Sequence, residues 1–524
     1  MSNFPIVDVD QIISTLPPEI QNSLKSAKIE ELELDIKKIK DELKKLFQSL
    51  VSDENKELSN YIEHVVFPAL FLSRAYQGEK LFLPMLDQEK FSKENALPYF
   101  LWGLLYDKWE PNQEEDGLSV FIQGYDKRGP QNHRKRIYYS AITPDLYSSN
   151  YRGKVVQFFD QLLDKKNAGK PLMREYLDSY FNLYWNLHLS LTGDEIPKEV
   201  REIGESFNTA LAYLTPTKKI VFDNYMKVRQ LRPFLQDWLE DKIKQIKDGN
   251  ISNYDQTFVY YWLKNSNDGN DENFRIKDIS FECFHNFVAL SQWGNTIYKI
   301  MDLLCEDNKD SDVIRECFEK TMESGDYDQA NGSPFTPLDR FVMELFRTLS
   351  PNGGSVSFIQ ETTSKSLYKR YGYIITPHEE TSKYSIHWKD PQAFNPDRYL
   401  DAPTSDQIDE AKSKEIGFAK CPFHKETFKV KDGRNTELTN SAFGTVYSTN
   451  NDQKFPVCDY AGYAPFGFGY RRCPGELFTV EVIKEFLRKV WNDKIKFEKL
   501  DITAKEVPVG PGAVVKDNIG FTKP

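Results

Sequence analysis

Cys473 stands in the run APFGFGYRRCPGE, residues 464–476, and its neighbours are the residue types a buried, ionised thiolate needs. The spacing is Phe466-x-x-Gly469-x-Arg471-x-Cys473-x-Gly475. A helix predicted from about Pro474 to Val490 points its N-terminus, with its free N–H groups and positive dipole end, at the sulfur. Pro474 suits the first helical turn. Gly469 and Gly475 let backbone come close to the sulfur and to a flat ligand beside it. Phe466 packs next to the sulfur and keeps water away. Such a thiolate pushes electron density onto a haem iron and favours O–O cleavage, and Arg471 can pair with a haem propionate. Cys473 is therefore the candidate metal ligand, with Phe466, Gly469, Arg471 and Gly475 as cofactor-binding residues and haem b (iron protoporphyrin IX) as the cofactor.

The loop resembles the haem-binding signature of the cytochrome P450 family. Two further segments follow that family's order: Glu344-Leu-Phe-Arg347, similar to its Glu-x-x-Arg helix, and Phe394-Asn-Pro396-Asp-Arg398-Tyr399, similar to its Pro-x-Arg-aromatic segment, preceded by His387-Trp-Lys-Asp390-Pro391. Alone, an i,i+3 Glu–Arg pair is common on any helix; order and distance from Cys473 give this one its weight. The resemblance covers about residues 60–524. It implies that Glu344, Arg347 and Arg398 form a buried ionic triad that holds the loop and does no chemistry. The stretch Gly129-Pro-Gln-Asn132-His133-Arg-Lys-Arg136 is similar to the family's propionate-binding helix, with Arg136 as the candidate and His133 as the alternative.

On the opposite side of the cofactor the family usually carries Ala-Gly-x-Asp/Glu-Thr, whose acid and alcohol deliver protons to bound oxygen. By order that helix is 276–305, and it contains no such pair. With Ala289 aligned to the motif, Gln292 and Trp293 replace the acid and the alcohol. Ser291, Gln292 and Thr296 are then the candidate catalytic residues, and Trp293 is either pocket wall or core. The run His285-Asn286-Phe-Val and the pair Trp293-Gly294 resemble the allene oxide synthase and hydroperoxide lyase branch, although the cysteine loop keeps the ordinary Phe466 position which that branch lacks. Three chemistries stay open: oxygen-dependent monooxygenation with an unusual relay, oxidative radical coupling, and isomerase or lyase chemistry on a peroxide or hydroperoxide. A non-catalytic haem-binding sensor is the further alternative. After Arg347, TLSPNGGSVSFIQETTS lacks the usual double proline and following basic residue, and Ser355–Gln360 is expected to line the substrate pocket.

The elements around these residues read as mainly α with a small β region. Helices are predicted over 174–192, 196–213, 216–248 and 276–305. SVSFIQ, YGYIIT and YSIHW read as short strands between 350 and 400, and the tail EVPVGPGAVVKDNIGFTKP as a terminal hairpin. Ile29, Leu32, Ile36, Ile39, Leu43, Leu46 and Leu50 step by three and four, an apolar seam that either lies on the body or pairs two copies through 29–50. The domain reading is a charged helical extension over 1–55 and a haem-thiolate domain over 56–524, with 401–457 as a polar surface insertion. Cys421 and His424 in that insertion are too few for a metal site. His64, His188, His378 and His387 read as structural.

The 524 residues carry 68 Lys and Arg against 79 Asp and Glu, a net charge of −11, which disfavours nucleic-acid binding. No stretch reaches the roughly 18–20 apolar residues of a membrane span, and the acidic N-terminus is no secretory signal. Six scattered cysteines without a CxxC pair suit a reduced, cytoplasmic chain. No nucleotide-binding GxGxxG follows a predicted strand, so an oxygen-dependent reaction implies a separate, ferredoxin-type electron donor. The small-molecule substrate is expected to be apolar or aromatic.

Overall fold

The computed structural model describes residues 133–213, 218–333, 335–351, 373–383, 388–400, 473–510 and 512–524, with short pieces at 18, 56–62, 65, 73–74, 91–92, 103–104, 109, 354–359, 385, 430–431, 434–435, 447–450, 453–456 and 465–466. The 29–50 seam, the 1–55 extension apart from Pro18, and Cys421 and His424 lie outside them.

The chain is mostly helical. Its main helices are α1 (Lys56–Tyr61), α2 (His133–Tyr139), α3 (Arg152–Leu162), α4 (Met173–Leu189), α5 (Lys198–Tyr213), α6 (Lys219–Lys247), α7 (Phe258–Asn265), α8 (Ile276–Leu304), α9 (Asp312–Glu323), α10 (Pro337–Leu349), α11 (His378–Ser382) and α12 (Glu476–Asn492). The four long helices expected between 174 and 305 fall within a few residues of their predicted limits. The last helix begins later than expected. Pro474 precedes it and Gly475 is its N-cap, so the proline sits in the turn that delivers Cys473 rather than in the first helical turn.

A four-stranded sheet has the order β1–β4–β3–β2, built from β1 (Ser73–Arg74), β2 (Phe91–Ser92), β3 (Gly354–Ile359) and β4 (Tyr373–Pro377). β3 and β4 correspond to SVSFIQ and YGYIIT. Of YSIHW only Ser385 and Trp388 are described, and neither is in a strand; the segment before it forms α11. After α12, β5 (Lys496–Lys499) pairs antiparallel with β8 (Ile519–Thr522), and β6 (Lys505–Gly510) pairs with β7 (Ala513–Asp517). The expected terminal hairpin is thus β6–β7, and the last strand leaves it for β5.

Two junctions position α8, which lies at the centre of the helical layer. At Gly204 of α5, an added Cβ would come within 2.4 Å of Phe181 and 2.7 Å of Phe287, so glycine lets α5 close on α4 and α8. At Gly294, an added Cβ would lie 2.6 Å from the Val509 carbonyl oxygen and 2.9 Å from the Tyr176 ring, so β6 crosses α8 on bare backbone. The start of α4 is capped from a distance. Asp517 of β7 accepts from the N–H groups of Met173 (2.9 Å) and Arg174 (3.1 Å), where the helix has no partners of its own.

Candidate functional site

Cys473 enters α12 from a turn that is itself pinned: its N–H donates to the Phe466 carbonyl at 2.8 Å. Phe466 is buried and meets Phe346 of α10 edge-on at 5.2 Å between centroids. No disulfide joins Cys473, and it is half-buried. A Cβ built on Gly475 would meet the Cys473 sulfur at 3.8 Å, an ordinary contact, and no other atom of the described residues. Gly469 and Arg471 lie outside the described residues.

Behind the turn, Glu344, Arg347 and Arg398 come together. Helix α10 starts on a capping box, with Thr336 accepting from the Asp339 N–H (3.0 Å), Asp339 accepting from the Thr336 N–H (3.2 Å), and Pro337 in the first turn. One helical turn brings Arg347 onto Glu344 through two bonds of 2.8 Å. Arg398 donates to the same carboxylate at 3.0 Å, as do the Tyr399 hydroxyl (3.0 Å) and the Asn395 N–H (2.8 Å). The remaining donors of Arg347 reach the carbonyls of Pro391 (2.7 Å) and Ala393 (3.0 Å), and both guanidinium groups lie over the Trp388 ring. Glu344 and Arg347 are fully buried. Lys484 of α12 bonds Asp339 at 2.8 Å, tying the triad helix to the helix that follows Cys473.

Helix α2 carries both propionate candidates. Arg136 is exposed, and His133 bonds Asp271 through Nε2 at 2.7 Å, beside the start of α8. Between them Arg134 is buried and donates to Asp278 of α8 at 3.2 Å, so this basic residue serves the helix junction.

On α8, the side chain of Ser291 is outside the described residues. Gln292 is half-buried. Thr296 is buried and its hydroxyl donates to the Gln292 carbonyl at 3.2 Å. Trp293 is core: its Nε1–H donates to Thr479 of α12 at 2.9 Å and its ring stacks on Phe478 at 5.6 Å.

A polar chain that sequence spacing does not reveal meets the N-terminal half of α8 at Asn286. The Tyr138 hydroxyl donates to Asn286 Oδ1 at 2.7 Å, and Asn286 Nδ2 donates to His188 Nε2 at 3.2 Å. His188 Nδ1–H donates to the Tyr184 carbonyl at 2.9 Å, which fixes the tautomer. Burial pushes the Tyr138 phenol well above its ordinary range, and the nearby charges of Glu282 and Cys473 add to this. Tyr138 therefore stays protonated, and α2 lies within electrostatic reach of Cys473. Glu282 and His285, both buried, face each other at 3.4 Å one turn away. The chain's members are 98 and 148 residues apart, and no local motif marks them.

No protein-family model matches the sequence, and no curated protein matches it in sequence. Solved structures do match in shape. Cyanobacterial CYP120A1 with retinoic acid bound aligns over 84% of this chain and 87% of its own, at 15% identity and a TM-score of 0.54. Cytochrome P450EX alpha (CYP152N1) with myristic acid aligns over 85% and 88%, at 12% identity and a TM-score of 0.53. A single-substitution variant of cytochrome P450 OleT in complex with arachidonic acid aligns over 86% and 88%, at 15% identity and a TM-score of 0.51. The fold is that of a cytochrome P450.

A cytochrome P450 fold implies a haem, and the residues present fit one. The turn offers a thiol at a helix start, an aromatic ring that excludes water, and beside the sulfur a glycine whose open side no atom of the described residues occupies. Among the described residues no other cluster of His, Cys, Asp or Glu is arranged to hold a metal.

The Tyr138–Asn286–His188 chain makes a pH prediction. Burial holds His188 down to about 3, with the Tyr184 carbonyl bond opposing and Lys154 assisting. Between pH 6.5 and about 3 the unfolded chain binds a proton that the native chain refuses. Stability is therefore lost as pH falls through that window, by about 1.4 kcal/mol per pH unit from this one group. Melting temperatures of wild type and His188→Gln across roughly pH 4–7 should diverge, with the variant flatter in acid. Parallel curves would show that His188 is not held neutral.

Proposed function

We propose that this chain is a haem-thiolate oxidoreductase that binds haem b through Cys473 and oxidises a small apolar or aromatic molecule, by monooxygenation or by oxidative radical coupling. The observation that carries this is Cys473 at the entry to α12, pinned to Phe466, within a cytochrome P450 fold. Bound haem supplies the one-electron and oxygen chemistry. The protein's part is to hold it and to shape the cavity. Cys473 sets the iron's electronics, Arg471 and Arg136 (or His133) neutralise the propionates, and Phe466 shields the sulfur from water. The Glu344–Arg347–Arg398 cluster fixes the turn and acts through position alone. Gln292, with Ser291 and Thr296, forms the distal wall. Electrons for an oxygen-dependent reaction come from a separate ferredoxin-type partner. The reading places the protein in the cytoplasm and leaves 29–50 as a seam that either lies on the body or pairs two copies. No described helix is long and apolar enough to cross a membrane.

A second reading, chemistry on a peroxide or hydroperoxide, draws on a specific observation. Trp293 stands where the alcohol is expected, and its N–H is committed to Thr479. The Thr296 hydroxyl, one turn further on, donates to its own helix. Neither is poised as the usual acid–alcohol relay.

One experiment sets the two side by side. The structural neighbours hold retinoic, myristic and arachidonic acids, so apolar carboxylic acids and small aromatics form the first substrate panel. Turnover with oxygen, a ferredoxin and its reductase, and none with hydrogen peroxide or a fatty-acid hydroperoxide, is the result expected of an oxygen-dependent enzyme. Rapid turnover with either peroxide and no reductant would overturn it in favour of the second reading.

A further inference from the structure

A line of oxidisable rings runs from the helix that follows Cys473 to the surface. Trp293 on α8 stacks at 5.6 Å on Phe478, which lies in the first turn of α12. Trp293 meets Tyr180 of α4 edge-on at 6.3 Å. Along α4, Tyr180 lies 6.0 Å from Tyr184, and Tyr184 lies 4.9 Å from Trp185. Trp185 meets Trp238 of α6 edge-on at 5.1 Å. Trp293, Tyr180, Tyr184 and Trp185 are at most 2% exposed, whereas Trp238 is half-buried, so the line reaches solvent there. A side branch, Tyr176 stacked on Tyr180 at 5.8 Å, stays in the core.

Indole and phenol rings give up a single electron to a strong oxidant, and electrons cross most readily between rings in or near contact. Once oxidised, both rings become strong acids, so an oxidised ring comes to rest where its proton can leave. The inner rings offer no such exit. The Trp293 N–H donates to the Thr479 hydroxyl and the Tyr184 hydroxyl to the Cys283 carbonyl, neither of which is a base. Trp185 Nε1 and the Tyr180 hydroxyl have no acceptor among the described residues. Burial holds both phenols protonated. At Trp238 solvent can take the indole proton. The line therefore slopes toward the surface, with Trp238 as the ring on which an oxidising equivalent settles.

We propose that Trp238 is a surface oxidation site, at which an electron-rich phenol gives electrons to the cofactor site through this line of rings. The proposal rests on haem binding at Cys473, and its oxidant is a hydroperoxide. Cleavage of the O–O bond, which a thiolate ligand favours, leaves two oxidising equivalents in the protein. For each of them one electron passes inward from Trp238, and the indole proton leaves to water. A phenol at the surface then returns one electron and one proton to the ring and departs as a phenoxyl radical. One hydroperoxide and two phenols thus give one alcohol, one water and two phenoxyl radicals. Tyr180 and Tyr184 keep their protons and bridge the indoles. The phenol never enters the substrate cavity, so its bulk sets no limit.

The test is radical trapping in the haem-loaded, full-length protein. Hydrogen peroxide is added with the nitrone spin trap DMPO and no phenol, and the adduct is located by peptide mass spectrometry. An adduct on Trp238 is expected in wild type, together with an indolyl radical signal in freeze-quenched electron paramagnetic resonance. Trp185→Phe, which removes the indole next to Trp238, should lose the Trp238 adduct while the carbon monoxide difference spectrum stays that of wild type. Should that variant fail to fold, Trp238→Phe decides at a half-buried position: peroxide-driven oxidation of a phenol carried on a long polyethylene glycol should be lost. A haem-loaded wild type without the Trp238 adduct, an undiminished adduct in Trp185→Phe, or undiminished oxidation of the tethered phenol by Trp238→Phe would each overturn the proposal. Failure of the cofactor assignment shows earlier and separately, as the absence of a thiolate-type Soret band before any peroxide is added.

Discussion

Glu344→Ala is expected to destabilise the protein by about 3–5 kcal/mol, the range seen when one partner of a buried ion pair is removed. The carboxylate accepts from two arginines, a phenol and a backbone N–H, and Arg347 beside it is fully buried. Its removal takes from the buried guanidinium of Arg347 the carboxylate that it pairs with. A loss of that size is a large share of the roughly 5–15 kcal/mol that holds a domain together. Glu344→Gln keeps the volume and one acceptor and should fall between. Urea midpoints of the three proteins measure the series, and a wild-type midpoint for Glu344→Ala would show that the cluster is not structural. A second consequence is local. The cluster lies behind Phe466 through Phe346 and reaches α12 through Asp339 and Lys484, so cofactor content should fall before global unfolding is complete.

Trp293→Ala is expected to cost about 3–5 kcal/mol, as deletion of a buried aromatic generally does. The indole is 2% exposed, stacks on Phe478, meets Tyr180 edge-on and donates to Thr479. Trp293→Phe retains the stack and forfeits the hydrogen bond, for a loss of about 1 kcal/mol. Thermal unfolding separates the two variants. If Trp293→Ala melted with wild type while the spectral response to ligands changed, the side chain would be pocket wall, and its place in the core would be refuted.

What the sequence made legible is what local spacing and order can carry. Glu344 and Arg347 sit one turn apart on a helix with its own capping signals, and Cys473 lies between glycines and before a strongly periodic helix. Helix limits were readable for the same reason, since apolar periodicity and caps are local. The fate of Trp293 was not readable, because its partner Thr479 is 186 residues away along the chain and only packing brings them together. His188 reads from sequence as structural and Asn286 only as part of a run with a resemblance; that they form one chain with Tyr138 depends on the meeting of the three helices that carry them. The two glycines that seat α8 are similar. Gly204 has nothing unusual in its sequence context, and Gly294 stands out there only beside Trp293, yet at each another element comes too close for a Cβ.

The distal wall is the part of the site that most departs from the resemblance. The acid–alcohol pair is missing from the sequence of α8, and the residue standing in for the alcohol has turned into the core. The proximal turn, by contrast, retains its thiol, its shielding ring and its glycine. The reaction type therefore hangs on a helix that differs from the pattern, while the cofactor hangs on a turn that keeps it.

The central claim is that Cys473 is the thiolate ligand of a haem iron. The carbon monoxide difference spectrum of the reduced protein, recorded for wild type and Cys473→Ser, tests it most directly. The account predicts the red-shifted Soret band of a thiolate-ligated haem in wild type and its loss in Cys473→Ser. A wild type that takes up no haem, or a variant that keeps the thiolate-type band, would contradict it.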